Sequence, residues 1–299
     1  MHAVMSMWSK PLIDRLRNYS IYPETGEACM SHFIGMCYSW ILSNYLLNCH
    51  YKDVRLVTDA YGKRFLVDTL ELPFSDVAIV LDGLDVPPYL FAFGKVIAYS
   101  MQEKPFVHVD NDVFLWDKIP NECANADVFA QSEEVISSGE YPYYNIDVCE
   151  KKADFIPREW KRYTKRKRKK DMLGYNAGII GGTKIDFFPF YKDMVFEFMH
   201  RNMGSTYFSN IHITVFEQFM ISVAAHAMGI RIKTLLNGKN GWSGLYPQSY
   251  SANYTHLIRA AKDKPANVLR MKQILETLCP GRIRRYKSVE HLKMIEVMG

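Results

Sequence analysis

Apolar residues in this chain cluster in short continuous runs separated by segments of helical spacing. That is the pattern of strands buried on both faces with helices packed between them. Residues 3–8 predict a first strand, stopped by Lys10-Pro11. Residues 31–48 predict a buried helix. Its most apolar part, 33–47, is interrupted by Gly35, Ser39, Ser43 and Asn44 and is too short to span a bilayer. A second strand at 54–58, a helix at 61–70, a third strand at 77–81 and a helix at 88–101 follow. Phe106, Val107 and Val109 then make a fourth strand, bounded by Pro105. This alternation predicts an α/β fold with right-handed crossovers and a mainly parallel sheet.

Past a further strand at 126–130 the periodicity is lost, and residues 132–173 are expected to form an irregular, lid-like loop. Helices are predicted again at 187–203 and 211–228, and a late strand at 231–236. The organisation expected is one domain over 1–264 and a helical extension over 265–299, broken at Pro280-Gly281.

Composition changes this picture in two places. Hydrophobic residues make up 48% of the 299 and charged residues 23%, which excludes general disorder. The formal charge is +5, yet residues 161–170 alone hold eight Lys or Arg, so the remainder carries −3. A basic surface spread over the whole body is therefore excluded. The run itself is read as a solvated loop, or as a lid that attracts phosphate, an anionic acceptor or an anionic membrane surface. Cysteines at 29, 37, 49, 123, 149 and 279 show neither a C-x-x-C pair nor zinc spacing. Reduced thiols in a cytoplasmic protein are expected, and the first residues carry no signal-peptide pattern.

The candidate chemistry centres on Asp110-Asn111-Asp112, at the end of the fourth strand. Residues two apart on an extended chain share a face, so Asp110 and Asp112 are expected to converge while Asn111 points elsewhere. Converging carboxylates repel unless a cation lies between them, and a hard divalent ion is the usual answer. The plainer reading is an acidic turn that caps loop amides. Thr58 and Asp59, at the end of the second strand, fit either a ligand contact or a helix N-cap. The glycines of Gly174-Tyr-Asn-Ala-Gly-Ile-Ile-Gly-Gly-Thr183 suit a backbone that approaches something closely, and Asn176 offers an amide to a hydroxyl-rich ligand. Glu217-Gln218 lie among apolar residues, where periodicity favours a water-facing helix edge and an active-site acid is the other reading.

In this order the pieces resemble the glycosyltransferases of the GT-A fold, above all the retaining families that include glycogenin and bacterial lipopolysaccharide glycosyltransferases. Asp110-Asn111-Asp112 is similar to their D-x-D, Asn176-Ala177-Gly178 to their N-A-G element, and Glu217-Gln218 to an acid-Gln pair. His256-x-x-Arg259-x-x-Lys262 resembles H-x-x-G-x-x-K, with Arg259 in place of the usual Gly and Glu217 in place of the commoner Asp.

The resemblance implies a metal-dependent, hexosyltransferase-like enzyme of polysaccharide biosynthesis acting with retention. Its implied cofactors are Mn2+ or Mg2+ and a nucleotide-diphosphate sugar, a UDP-sugar first among them. Asp110, Asp112 and His256 are the implied metal ligands. Lys262, Arg259, Asn111 and Lys95 are implied at the donor phosphates, Ala177 and Gly178 at the sugar pocket, and Trp8, Thr58 and Asp59 at the base and ribose. Glu217, Asn176 and Gln218 are the implied catalytic group. The acceptor would be a saccharide, lipid-linked, peptide or other hydroxyl compound, and the location cytoplasmic or at the inner face of a membrane. Two other readings stand beside this one. The first is a nucleic-acid-binding protein working through 161–170, and the second is a nucleotidyltransferase or inactive nucleotide-sugar binder.

Overall fold

The computed structural model describes residues 1–20, 26–136, 145–167, 171–205, 207–236, 253–258, 261–262 and 264–280. Side chains of 16–20, 26–32 and 210 are not described. Arg259 and the whole of the extension beyond residue 280 fall outside these residues, as do 168–170 of the basic run.

The expected alternation is present. Strands β1 (His2–Met7), β2 (Val54–Thr58), β3 (Asp76–Ile79), β4 (Phe106–Val109), β6 (Phe129–Val135), β7 (Leu173–Gly182) and β8 (Lys233–Leu236) make a seven-stranded sheet. Its order is β3-β2-β1-β4-β7-β6-β8. Pairs β1/β2, β2/β3 and β6/β8 are parallel, and β6/β7 is antiparallel. A two-stranded antiparallel ribbon joins β5 (Val113–Leu115) to β9 (Tyr254–His256). All four residues of β4 and five of the six in β1 are buried, as continuous apolar runs in a covered parallel sheet require.

The chain forms two compact units, neither continuous in sequence. One comprises His2–Tyr89, Val109–Lys118 and Tyr254 onward. Its helices are α1 (Lys10–Ser20), α2 (Gly26–His50), the short α3 (Ala60–Lys63) and α10 (Pro265–Leu278). Helix α10 packs on α2, so the start of the expected extension belongs to this unit. The other comprises Met1, Leu90–His108 and Ile119–Asn253. It holds α4 (Phe93–Ser100), α5 (Asn121–Ala124), α6 (Ile146–Lys152), α7 (Arg158–Arg166), α8 (Phe187–Asn202) and α9 (Met220–Met228).

Two expectations are corrected. Residues 132–173 are not irregular where they are described: β6 runs on to Val135, and α6 and α7 follow. Only Ile146 and Cys149 of α6, and Trp160 and Tyr163 of α7, are buried, too few positions for a 3.6-residue period to emerge from the charges around them. Second, the helices expected at 61–70 and 211–228 each contain a wide π turn, at Arg64–Thr69 and Val215–Phe219, which shifts the phase of the buried face. The segment carrying His256, given no element above, is a strand.

The paired glycines of β7 have a structural cause. A Cβ on Gly181 would lie 2.0 Å from the carbonyl oxygen of Phe106, so what the backbone approaches there is neighbouring main chain rather than a ligand. Among the described residues no helix is long and apolar enough to cross a membrane.

Candidate functional site

Asp110 directly follows the last residue of β4. The chain does not stay extended there: the Val113 amide donates to the Asp110 carbonyl at 3.1 Å, closing a tight turn over Asp110–Val113. The two acids therefore converge because the chain folds back, not because extended residues alternate. Helix α2 holds the turn from beneath. Ser39 Oγ donates to the Asn111 carbonyl at 2.8 Å, and Ser43 Oγ to that of Asp110 at 3.4 Å. Serines four apart share a helix face, so two of the polar interruptions in this apolar helix anchor the acidic turn.

The same turn begins β5, and the β5/β9 ladder brings in residues from far along the chain. Val113 pairs with His256, and the Leu257 amide donates to the Asp112 carbonyl at 2.9 Å. Trp116 Nε1 donates to Thr255 Oγ1 at 3.0 Å and fastens the ribbon's other end. One ligand atom from each of Asp110, Asp112 and His256 falls within 4.8 Å of the others. Asp112 is buried, while Asp110 and His256 are half-buried.

Lys262 completes the group, with Nζ 2.8 Å from Asp112 Oδ2; His256 Nε2 lies 3.5 Å from Oδ1. Burial by itself would raise the Asp112 carboxyl. The charges of Lys262 and His256 and their hydrogen bonds outweigh it and hold the group well below the usual carboxylate range. Asp112 is thus ionised at neutral pH and has a cation beside it.

The acceptable ligand for such a site follows from its donors. Two carboxylate oxygens and one imidazole nitrogen, with no thiolate, suit a hard or borderline divalent ion such as Mn2+ or Mg2+. Three protein ligands leave further coordination positions for substrate oxygens.

Trp8, Thr58 and Asp59 belong to the same unit. Thr58 Oγ1 donates to the Met7 carbonyl at 2.7 Å. Asp59 Oδ1 accepts from the Gly62 amide at 2.7 Å, and Oδ2 accepts from the amide and hydroxyl of Ser9 at 2.7 and 2.8 Å. The N-cap is therefore in place, and the second oxygen ties the end of β1 to the start of α3. Trp8 is buried, with Lys10 Nζ 5.6 Å from its ring centroid.

The remaining candidates lie in the other unit. Lys95, on α4, forms an ion pair with Glu217 in which both side chains are largely buried. The water-facing reading of Glu217 is thereby corrected: the π turn at Val215–Phe219 and a buried cation together turn its carboxylate inward. Tyr191 OH donates to the Glu217 carbonyl at 2.7 Å and steadies the same turn. Gln218 beside it is half-buried.

Asn176, on β7, is held at both ends of its amide. Its Oδ1 accepts from the Gly178 amide at 3.0 Å, and its Nδ2 donates to Glu134 Oε1 at 3.3 Å. Ala177 and Gly178 are buried in the same strand. Glu134, a buried acid on β6, was not anticipated. The sequence offers only a carboxylate between Glu133 and Val135 in a stretch without clear periodicity. Ser39, Ser43 and Tyr191 were missed as well, because their roles are carbonyl contacts that residue type does not announce.

A family model matches residues 1–289. The chain belongs to DUF6734, a family of unknown function. No curated protein is similar enough in sequence to this DUF6734 member to count as a match. Solved structures with a similar course of chain include the galactosyltransferase LgtC in complex with donor and acceptor sugar analogues. It is 10% identical, with a TM-score of 0.43 over 93% of this chain and 96% of that one. Mouse xyloside xylosyltransferase 1 in its apo form is 11% identical, with a TM-score of 0.39 over 85% and 96%. The bifunctional glycosyltransferase WbbM, also apo, is 12% identical, with a TM-score of 0.40 over 96% of this chain and 51% of that one.

Proposed function

We propose that this protein is a metal-dependent glycosyltransferase that moves a sugar from a nucleotide-diphosphate donor, a UDP-sugar first, to a hydroxyl acceptor. The observation that carries this reading is the convergence of Asp110, Asp112 and His256 beside Lys262, just past the carboxyl end of β4 in a mainly parallel sheet. Open α/β sheets bind ligands at that end of their strands. Mn2+ or Mg2+, held by Asp110, Asp112 and His256, would supply Lewis-acid charge to a diphosphate.

The chain's own groups match the charge changes of glycosyl transfer, in which a diphosphate departs and positive charge grows on the sugar. Lys262 offers the leaving oxygens a second cation. Glu217, paired with Lys95, is assigned as the anionic support for the sugar or its acceptor. Asn176, its amide fixed by Gly178 and Glu134, is assigned to a sugar hydroxyl. Trp8, Thr58 and Asp59 take the base and ribose in this assignment, and Asn111, Arg259, Ala177, Gly178 and Gln218 the remainder of the donor. Retention of configuration follows from the resemblance of the motif order to retaining families.

A thermal-shift panel of nucleotide sugars, each with and without manganese, tests the reading. Manganese-dependent stabilisation by one nucleotide class, followed by transfer to a simple sugar or by donor hydrolysis, is the expected result. Stabilisation without any turnover would favour the inactive binder, and release of pyrophosphate from a nucleoside triphosphate the nucleotidyltransferase. No response to any nucleotide with manganese would end the proposal.

A further inference from the structure

Helix α7 carries Arg158, Lys161, Arg162, Lys165 and Arg166, all exposed. At 100° per residue these five cations fall within an arc of about 140°. Trp160 and Tyr163 lie on the opposite side of the helix, and both are buried. Trp160 packs its ring on Phe198 and Phe219, and its Nε1 donates to Glu150 Oε1 at 2.8 Å. Tyr163 contacts Phe219 and His226, and its hydroxyl accepts from the Leu173 amide at 3.2 Å. The helix is thus fixed by one face and presents the other. Among the described residues none of the five cations forms an ion pair, and no large apolar side chain of α7 is exposed.

So many like charges on one short helix repel each other and weaken it, and the effect reaches beyond α7. The His226 imidazole is held below its usual range by burial first, then by Arg166 and Lys167. A cationic face maintained at this cost needs an anionic counterpart.

The geometry narrows the choice. Five side chains splayed over a convex arc cannot all reach one small phosphate, but they can all reach a plane of headgroups. Single-stranded nucleic acid is normally gripped by exposed rings on which bases stack. Here the two rings of the helix are buried in the core.

We propose that the exposed face of α7 docks this protein on an anionic phospholipid bilayer. The contact is electrostatic, without insertion, since the face offers cations and no apolar wedge. It is independent of the assigned activity and can be read without donor, metal or acceptor.

The test is co-sedimentation of the full chain with vesicles of phosphatidylcholine alone, or mixed with phosphatidylglycerol, over a range of salt. Each Lys or Arg near such a surface strengthens association roughly fivefold. The Lys161→Gln/Arg162→Gln/Lys165→Gln variant is therefore expected to lose binding by about a hundredfold. The equal charge change at exposed lysines elsewhere, Lys52→Gln/Lys104→Gln/Lys118→Gln, is expected to retain most of it. A Lys161→Arg/Lys165→Arg variant should bind as the parent does, which separates charge from damage to the helix. Equal loss in both neutralised triples would overturn the proposal by reducing it to net charge. So would binding to vesicles without phosphatidylglycerol. Tight, salt-sensitive binding of arbitrary DNA through this face, with no retention on anionic vesicles, would replace the bilayer by nucleic acid.

Discussion

Lys262 donates from Nζ to Asp112 Oδ2 at 2.8 Å, so an ammonium already neutralises one of the acids on which metal binding would depend. A divalent ion arriving at Asp110, Asp112 and His256 meets that positive charge, and a diphosphate arriving with it gives the ammonium another anion to pair with. Lys262→Met should therefore strengthen Mn2+ binding without nucleotide by about tenfold, because a like charge beside the ion is gone. The same substitution should weaken binding of a nucleotide diphosphate in the presence of Mn2+. Mn2+ titration followed by electron paramagnetic resonance measures both, and unchanged metal affinity would show that the pair has no influence on the ion.

Asp110 and Asp112 sit in a turn whose stability comes from main-chain contacts with Ser39, Ser43 and Val113. Asp110→Ala and Asp112→Ala should leave the fold largely intact while lowering turnover on the order of a thousandfold, the scale of losing one preorganised charge-stabilising group. A chelator should do the same to the parent protein. Activity that survives chelator, or persists in both variants, would remove the metal from the mechanism.

Gly35 lies on α2 where that helix meets the backbone of Lys262. A Cβ there would stand 2.7 Å from the Lys262 carbonyl oxygen and 3.1 Å from Val268 Cγ2. Gly35→Ala should therefore shift the Lys262 segment and cost about 1–3 kcal/mol, the range of overpacking, despite Ala's better helix propensity. Denaturant unfolding reads the loss. A stabilised variant would mean that this contact is looser than the geometry states.

The Lys95–Glu217 pair is largely removed from solvent, so breaking it leaves a largely buried charge without this counterpart. Either Lys95→Met or Glu217→Gln alone should cost about 3 kcal/mol, and the double substitution should recover much of that. A double-mutant cycle by chemical denaturation supplies the coupling energy. Additive losses would show that the two charges act separately.

Cys37 and Cys149 are buried, and burial raises both thiols, Cys149 to about 12. Since the thiolate is the reactive form, neither should react with a thiol reagent in the native state at neutral pH. Cys49 is exposed and should label readily, with Cys37 and Cys149 following only in denaturant. Peptide mapping after timed alkylation distinguishes them.

What the sequence determined by itself was whatever depends on near neighbours. The continuous apolar runs marked β1, β2 and β4 because a strand covered on both faces needs no partner's identity to be recognised. The acids at 110 and 112 were legible because a polar island between apolar runs is a local signal. Tertiary structure decided the rest, since it depends on which distant segments pair. The β5/β9 ladder places His256 against Asp112 across more than a hundred residues, and no spacing rule encodes that register. Helix α7 emerged from a run that looked like loop because two buried rings, Trp160 and Tyr163, sufficed to seat it once α8 and α9 were there to receive them. Glu217 turned inward because a lysine 122 residues away compensated its charge, and Glu134 met Asn176 through an antiparallel register interrupted between Ala130 and Ser132. Local periodicity carries the energy of burying one face, whereas these pairings carry the energy of contacts that exist only after the chain has folded.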